Sequence, residues 1–192
     1  MRVLVEADGG SRGNPGPAGY GAVVFSADRA EVLAESSASI GVATNNVAEY
    51  RGLIAGLEAA AALDADDVAV SMDSKLVVEQ MSGRWQVKHP DLIPLNREAV
   101  ALARRFGRVS YTWIPRAQNA HADRLANEAM DAAAAPAVAA AQKFSTSAIA
   151  ITSDSMGLRN QTNAITPTMP PGGSLNVRSS ISSRSPNAFE IP

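Results

Sequence analysis

The sequence of 192 residues contains no cysteine, which removes disulfides, thiol nucleophiles and thiolate-bound zinc from its chemistry. It has two histidines, His89 and His121, and they do not stand at a spacing that suits a histidine pair on one metal. No run of about 18 apolar residues exists to span a membrane, and the opening MRVLVEAD lacks the apolar core of a secretory signal. Charge of one sign is also missing. Seventeen Lys and Arg face 19 Asp and Glu, so no basic field announces a nucleic acid. These absences predict a cytoplasmic protein with no membrane partner.

What is present is unevenly spread. Composition changes near residue 132, where DAAAAPAVAAAQ begins. We expect a folded domain over residues 1–133, an Ala/Pro-rich linker over 134–142, and a tail over 143–192. The tail is rich in Ser, Thr, Asn and Pro and has too little periodic apolar sequence to offset ordering entropy. It reads as disordered or of non-native origin, with a small β appendage around SAIAIT as the alternative.

Within the domain, Arg2–Asp8 reads as a strand with apolar residues on both faces, and so as central. Residues 19–27 and 30–40 read as a hairpin turning at Asp28 and Arg29. Val47, Tyr50, Ile54, Leu57 and Ala61 recur at helical steps and predict a helix over 46–63, with Thr44, Asn45 and Asn46 offering oxygens for its start. Then follow a strand over 67–73, helices over 74–83 and 94–107, a strand over 108–115 and a helix over 119–133. The summary order βββαβαβα predicts an α/β fold, a mixed five-stranded sheet with helices on both faces.

Four carboxylates sit against their apolar surroundings: Asp8 and Asp73 at strand ends, Glu49 beside a helix's apolar stripe, and Asp123 in the first turn of the last helix. Each alone reads as an ordinary polar terminus. Ligands of open α/β sheets gather beyond the carboxyl ends of strands, where two helices can bring the other two acids. Carboxylates crowded there repel unless cations neutralise them, and oxygen-only ligands select hard cations such as Mg2+ or Mn2+. Two such ions about 3.5–4 Å apart form the arrangement that drives phosphoryl displacement.

Four segments carry a family resemblance: DGGSRGNPGPAGYGAV (8–23), TNNVAEYRGLIAGLEAA (44–60), MDSKLVVEQMSG (72–83) and WIPRAQNAHADRLANEA (113–129). In order and in their Asp, Glu, Asp, Asp pattern they resemble type 1 ribonuclease H. More narrowly, they resemble the amino-terminal domain of actinobacterial proteins that fuse ribonuclease H to a histidine-type phosphatase. The resemblance implies hydrolysis of the RNA strand of an RNA–DNA hybrid, leaving 5′-phosphate and 3′-hydroxyl ends. It implies two Mg2+ or Mn2+ ions on Asp8, Glu49, Asp73 and Asp123. It further implies substrate contacts from Gly13, Asn14, Pro15 and Gly16, from Thr44, Asn45 and Asn46, and from Ser74. Glycines at 9, 10, 13 and 16 would let main-chain amides approach a sugar–phosphate backbone.

Where many members carry a loop histidine before the last aspartate, Arg116 stands here and is expected to steady phosphate charge. His121 reads as a surface histidine and His89 as loop polarity. Between Gly83 and Pro94, where some relatives insert a Lys- and Trp-rich protrusion, there is a short connector with Arg84, Trp85 and Lys88. Trp85 reads equally as a sugar-stacking ring or a core plug. Arg104, Arg105 and Arg108 read as a solvated helix end. Few cationic contacts predict weak, salt-sensitive binding and a looser choice of duplex that extends to double-stranded RNA. A monomer is expected, with a phosphatase domain as the part missing from this sequence. The rival reading is a duplex-binding module of the same fold without turnover. A small-ester phosphatase is disfavoured because no Arg-His-Gly motif occurs.

Overall fold

Val3, Val5 and Ala7 are fully buried and give the first strand a face that only the middle of a sheet can cover. The computed structural model describes residues 1–134; the remainder of the linker, the tail and its β-appendage alternative lie outside the described residues. Strands β1 (Arg2–Ser11), β2 (Gly16–Ser26), β3 (Val32–Ala43), β4 (Asp67–Met72) and β5 (Arg108–Trp113) form one sheet in the order β3-β2-β1-β4-β5. β1 is therefore central. It pairs antiparallel with β2 and parallel with β4, and β4 pairs parallel with β5.

Helix α1 (Asn45–Ala62) follows β3, while α2 (Lys75–Met81) and α3 (Leu92–Ala103) together connect β4 to β5. A last helix, α4, covers residues 120–134. The order is thus βββαβααβα: the two helices expected over 74–83 and 94–107 both form, and the summary string βββαβαβα is one helix short. α1, α2 and α3 share one core with the odd-numbered residues of β1, centred on the buried Tyr50, Leu53, Leu57, Val68, Val70 and Met72. Each such buried apolar side chain contributes roughly 1.5–3 kcal/mol. α4 covers the opposite face, where Leu125 packs with Val23 and Phe25.

Glycines set how closely the helices approach. A Cβ on Gly21 would lie 2.3 Å from the Ala122 carbonyl oxygen, so β2 can seat α4 only with glycine there. A Cβ on Gly9 would lie 2.1 Å from the Glu49 nitrogen, and one on Gly52 would lie 2.6 Å from the Asp8 carbonyl oxygen. These two glycines let α1 close onto β1, which brings Glu49 next to Asp8.

β1 also runs on to Ser11, three residues past its expected end, because Gly9, Gly10 and Ser11 keep pairing with Tyr20, Gly19 and Ala18. The glycine-rich stretch is thus mostly hairpin, with its turn at residues 12–15. Thr44 caps α1, its hydroxyl accepting from the Val47 amide at 3.4 Å. Gly9→Ala is expected to lower stability by about 1–3 kcal/mol, as overpacking does. Chemical denaturation checks this, and an unchanged midpoint would refute the packing account.

Candidate active site

The β1–β4 ladder ends at the pair Ala7 and Met72. Asp8 and Asp73 are the next residues on each strand, so the register that built the ladder brings them side by side just beyond it. β1 continues, held by β2 through the Asp8–Gly21 pair, while β4 has ended. The uncovered edge of β1 is where Glu49 arrives from α1. Asp8, Glu49 and Asp73 each offer a carboxylate oxygen, and these oxygens lie within 4.8 Å of one another.

Asp8 and Glu49 are buried, at 3% and 5% exposure. Burial raises the Asp8 pKa to about 7, the negative charge of Asp73 adds to the effect, and Arg116 opposes it. Burial likewise pushes Glu49 well above the ordinary carboxylate range, followed by the charges of Asp8 and Asp73. The Glu49 Oε2 atom is buried with no hydrogen-bond partner among the described residues. An orphaned carboxylate oxygen inside a cluster of oxygen donors fits a hard divalent cation that shares all three groups. The residues present therefore suit such an ion.

The fourth predicted carboxylate stands outside this trio. Asp123 Oδ1 accepts from the Arg116 guanidinium, and Asn127 donates to its Oδ2 at 3.3 Å. Arg116 lies in the 3-10 turn Arg116–Gln118, and its side chain is exposed. Burial works against its charge, yet Asp123, Asp8 and Asp73 together raise its pKa.

The two segments expected to meet substrate come together. Asn14 Oδ1 accepts from the Asn45 amide at 3.2 Å, and Ser11 Oγ donates to Ala43 at 2.8 Å, tying the β1–β2 turn to the start of α1. Asn45 Nδ2 reaches Glu49 Oε1 at 3.4 Å. Gly13 has φ of 106°, a conformation that favours glycine, and a Cβ on Gly16 would lie 2.2 Å from the Arg12 carbonyl oxygen. The turn thus needs both glycines for its own shape. Pro15 and Thr44 border a groove of about 570 Å³ that extends to Leu95 on α3. Asn46 is exposed on the first turn of α1, and Ser74 is the cap residue of α2.

His121 packs edge-on against Phe25 and its Nε2 lies 2.5 Å from Glu35 Oε1, so its ring is engaged away from the carboxylate trio. Trp85 is 48% exposed, which excludes the core-plug reading. α3 ends at Ala103, so Arg104 and Arg105 lie just past it rather than within it.

Two residues at the site carried no forecast. Asn119 is fully buried, and its Nδ2 donates to Asp73 Oδ1 at 2.8 Å and to the Ala7 carbonyl at 2.9 Å. Trp113 Nε1 donates to the Asp73 carbonyl at 3.0 Å. An asparagine just ahead of a helix reads as a cap, and its other partners are not visible in the sequence.

Comparison with known proteins agrees with this geometry. A family model described as reverse transcriptase-like matches residues 6–129. The bifunctional protein Rv2228c of Mycobacterium tuberculosis is 70% identical over 139 residues, which cover 72% of this chain and 38% of that protein. The solved N-terminal ribonuclease H domain of Rv2228c, fused to maltose-binding protein, is 69% identical with a TM-score of 0.67, covering 68% of this chain and 99% of that one. LC11-RNase H1, solved in complex with an RNA/DNA hybrid, is 42% identical with a TM-score of 0.65, covering 68% and 98%. The chain belongs to the type 1 ribonuclease H family and is a hydrolase of that class. Among the described residues no helix is long and apolar enough to cross a membrane.

The raised pKa values set a pH dependence for the metal-free protein. Unfolded carboxyls titrate near pH 4. Between about 4 and 7 the folded cluster therefore holds more protons than the unfolded chain, and stability falls as pH rises. With chelator present, the contribution of this cluster should lower the melting temperature from pH 5 to pH 7. The fall should be smaller in Asp73→Asn, and Mg2+ should raise the midpoint more at pH 7 than at pH 5. Scanning fluorimetry checks this; a Mg2+ effect equal at both pH values would contradict it.

Proposed function

We propose that residues 1–134 hydrolyse the RNA strand of RNA–DNA hybrids, leaving 5′-phosphate and 3′-hydroxyl ends. The observation that carries this reading is the convergence of Asp8, Glu49 and Asp73 within 4.8 Å. Two Mg2+ or Mn2+ ions are the proposed cofactors, with Asp123 as the fourth ligand. Bound there, they would supply charge neutralisation at the phosphodiester and a water of lowered pKa.

The chain's own residues do the rest. Asp8, Glu49 and Asp73 are the proposed place of the scissile phosphate, because no other such carboxylate group occurs among the described residues. The exposed Arg116 guanidinium, paired with Asp123, stands ready to exchange that partner for a phosphate oxygen. The Gly13–Gly16 turn and Thr44–Asn46 are the proposed contacts to a sugar–phosphate backbone, with Ser74 beyond Asp73. Asn14 keeps its side-chain NH2 for a 2′-hydroxyl, the group that separates RNA from DNA, because its Oδ1 is already used by Asn45. With a net charge of −2 over its 192 residues, the chain gains little from long-range attraction. Contacts of shape and 2′-hydroxyl recognition then dominate, and double-stranded RNA is the expected secondary substrate.

A labelled hybrid incubated with Mg2+ or Mn2+ tests the reading directly. Cleavage should stop with chelator, and Asp73→Asn should lose more than the about 10–100-fold typical of a residue that only supports a ligand. Hybrid binding without cutting by the wild-type protein would instead favour the duplex-binding module. Affinity should be weak and fall with salt only in proportion to its few phosphate contacts; tight binding at high ionic strength would contradict the weak-grip account.

A further inference from the structure

Of the three clustered carboxylates, two are held by regular structure and one is not. Asp8 sits inside the β1–β2 ladder and Glu49 inside α1. Asp73 stands between Met72, the last residue of β4, and Ser74, the cap of α2, so it lies within neither element. Such a residue ordinarily samples several backbone and rotamer states, and each state off the ligand position weakens a shared site.

Yet Asp73 is tied at both ends. Trp113 Nε1 donates to its main-chain carbonyl at 3.0 Å, and Asn119 Nδ2 donates to its carboxylate at 2.8 Å. The same Asn119 nitrogen donates to the Ala7 carbonyl at 2.9 Å, one residue before Asp8. One amide group thereby joins Asp73 to the residue before Asp8 at the place where the β1–β4 ladder stops. Asn119 is fully buried, so this bridge does not compete with water. Trp113 reaches Asp73 from β5, the strand beyond β4, whose ladder with β4 ends at the pair Met72 and Trp113. The Ile114 amide also donates to Met72 at 2.9 Å, which steadies the last residue of β4 itself.

We infer that Asn119 and Trp113 are positioning residues, which together clamp Asp73 at ligand distance from Asp8 before any cation arrives. The inference rests on the proposed role of the trio as a cation site. An amide suits the Asn119 position because it donates to both acceptors; an aspartate there would place a further negative charge against Asp73. Trp113 contributes through its indole N–H, while its half-exposed ring lies at the sheet edge.

The test compares the full chain with Asn119→Ala and Trp113→Phe. The second variant keeps a ring of similar shape and removes only the donor, so it should fold even if the first does not. Mn2+ affinity is read by calorimetry without nucleic acid, and kcat and KM are read on a labelled hybrid. Asn119→Ala should bind Mn2+ about 10–100-fold more weakly, the usual loss when a ligand's supporting partner is removed. Trp113→Phe should show a smaller loss in the same direction. In both, kcat should fall while KM for hybrid stays near wild type, because neither residue is assigned to the duplex. A purely structural role would lower the melting temperature and leave Mn2+ affinity and kcat of the folded protein unchanged. That outcome in Trp113→Phe and in a folded Asn119→Ala would overturn the clamp. If wild type fails to cut hybrid but the variants still lose Mn2+ affinity, the nuclease reading fails and the clamp stands.

Discussion

Two buried carboxylates and a third beside them, all within 4.8 Å, work against the fold that holds them. Burial raises the pKa of Asp8 and Glu49, and mutual repulsion raises each further. Something must keep the three together, and the surrounding packing does so. β1 is locked in the middle of the sheet, α1 is seated on it through Gly9 and Gly52, and Asp73 is bound to β5 and to the start of α4. A hard divalent cation would turn that repulsion into ligation. The acidic edge is best understood as a site built for a charge that the chain does not supply.

Much of this was legible from residue order. Asp8, Glu49 and Asp73 stand out because each interrupts an apolar pattern that packing would otherwise favour, and the centrality of β1 follows from its two apolar faces. The cap of α1 falls within the expected group Thr44, Asn45 and Asn46, and the structure selects Thr44. Other features were hidden for identifiable reasons. The strand continues through Gly9 and Gly10 because β2 supplies partners for their backbones, a tertiary effect that overrides glycine's preference for turns. Gly9 itself is there to admit α1, and no local pattern indicates a helix that begins 36 residues later. Asn119 bonds to Ala7 and Asp73, 112 and 46 residues away in the chain, so its role exists only once the sheet has formed.

The placement of Asp123 adds a distinction between the acids. Asp8, Glu49 and Asp73 are already within ligand distance of one another, whereas Asp123 is engaged by Arg116 and Asn127. A cation recruiting Asp123 would release Arg116, and a free guanidinium at that edge is suited to phosphate oxygens. On the proposed reading, in which Asp123 is a ligand and Arg116 meets phosphate, the ion pair would couple completion of the cation site to release of the guanidinium. His121, paired with Glu35 and packed on Phe25, has no comparable freedom.

The most direct measurement is anomalous scattering from crystals of the protein soaked in Mn2+. Peaks bonded to carboxylate oxygens of Asp8, Glu49 and Asp73 are the expected result. An ordered trio without manganese at millimolar Mn2+, or manganese bound only elsewhere, would contradict the claim that these acids converge to hold divalent ions.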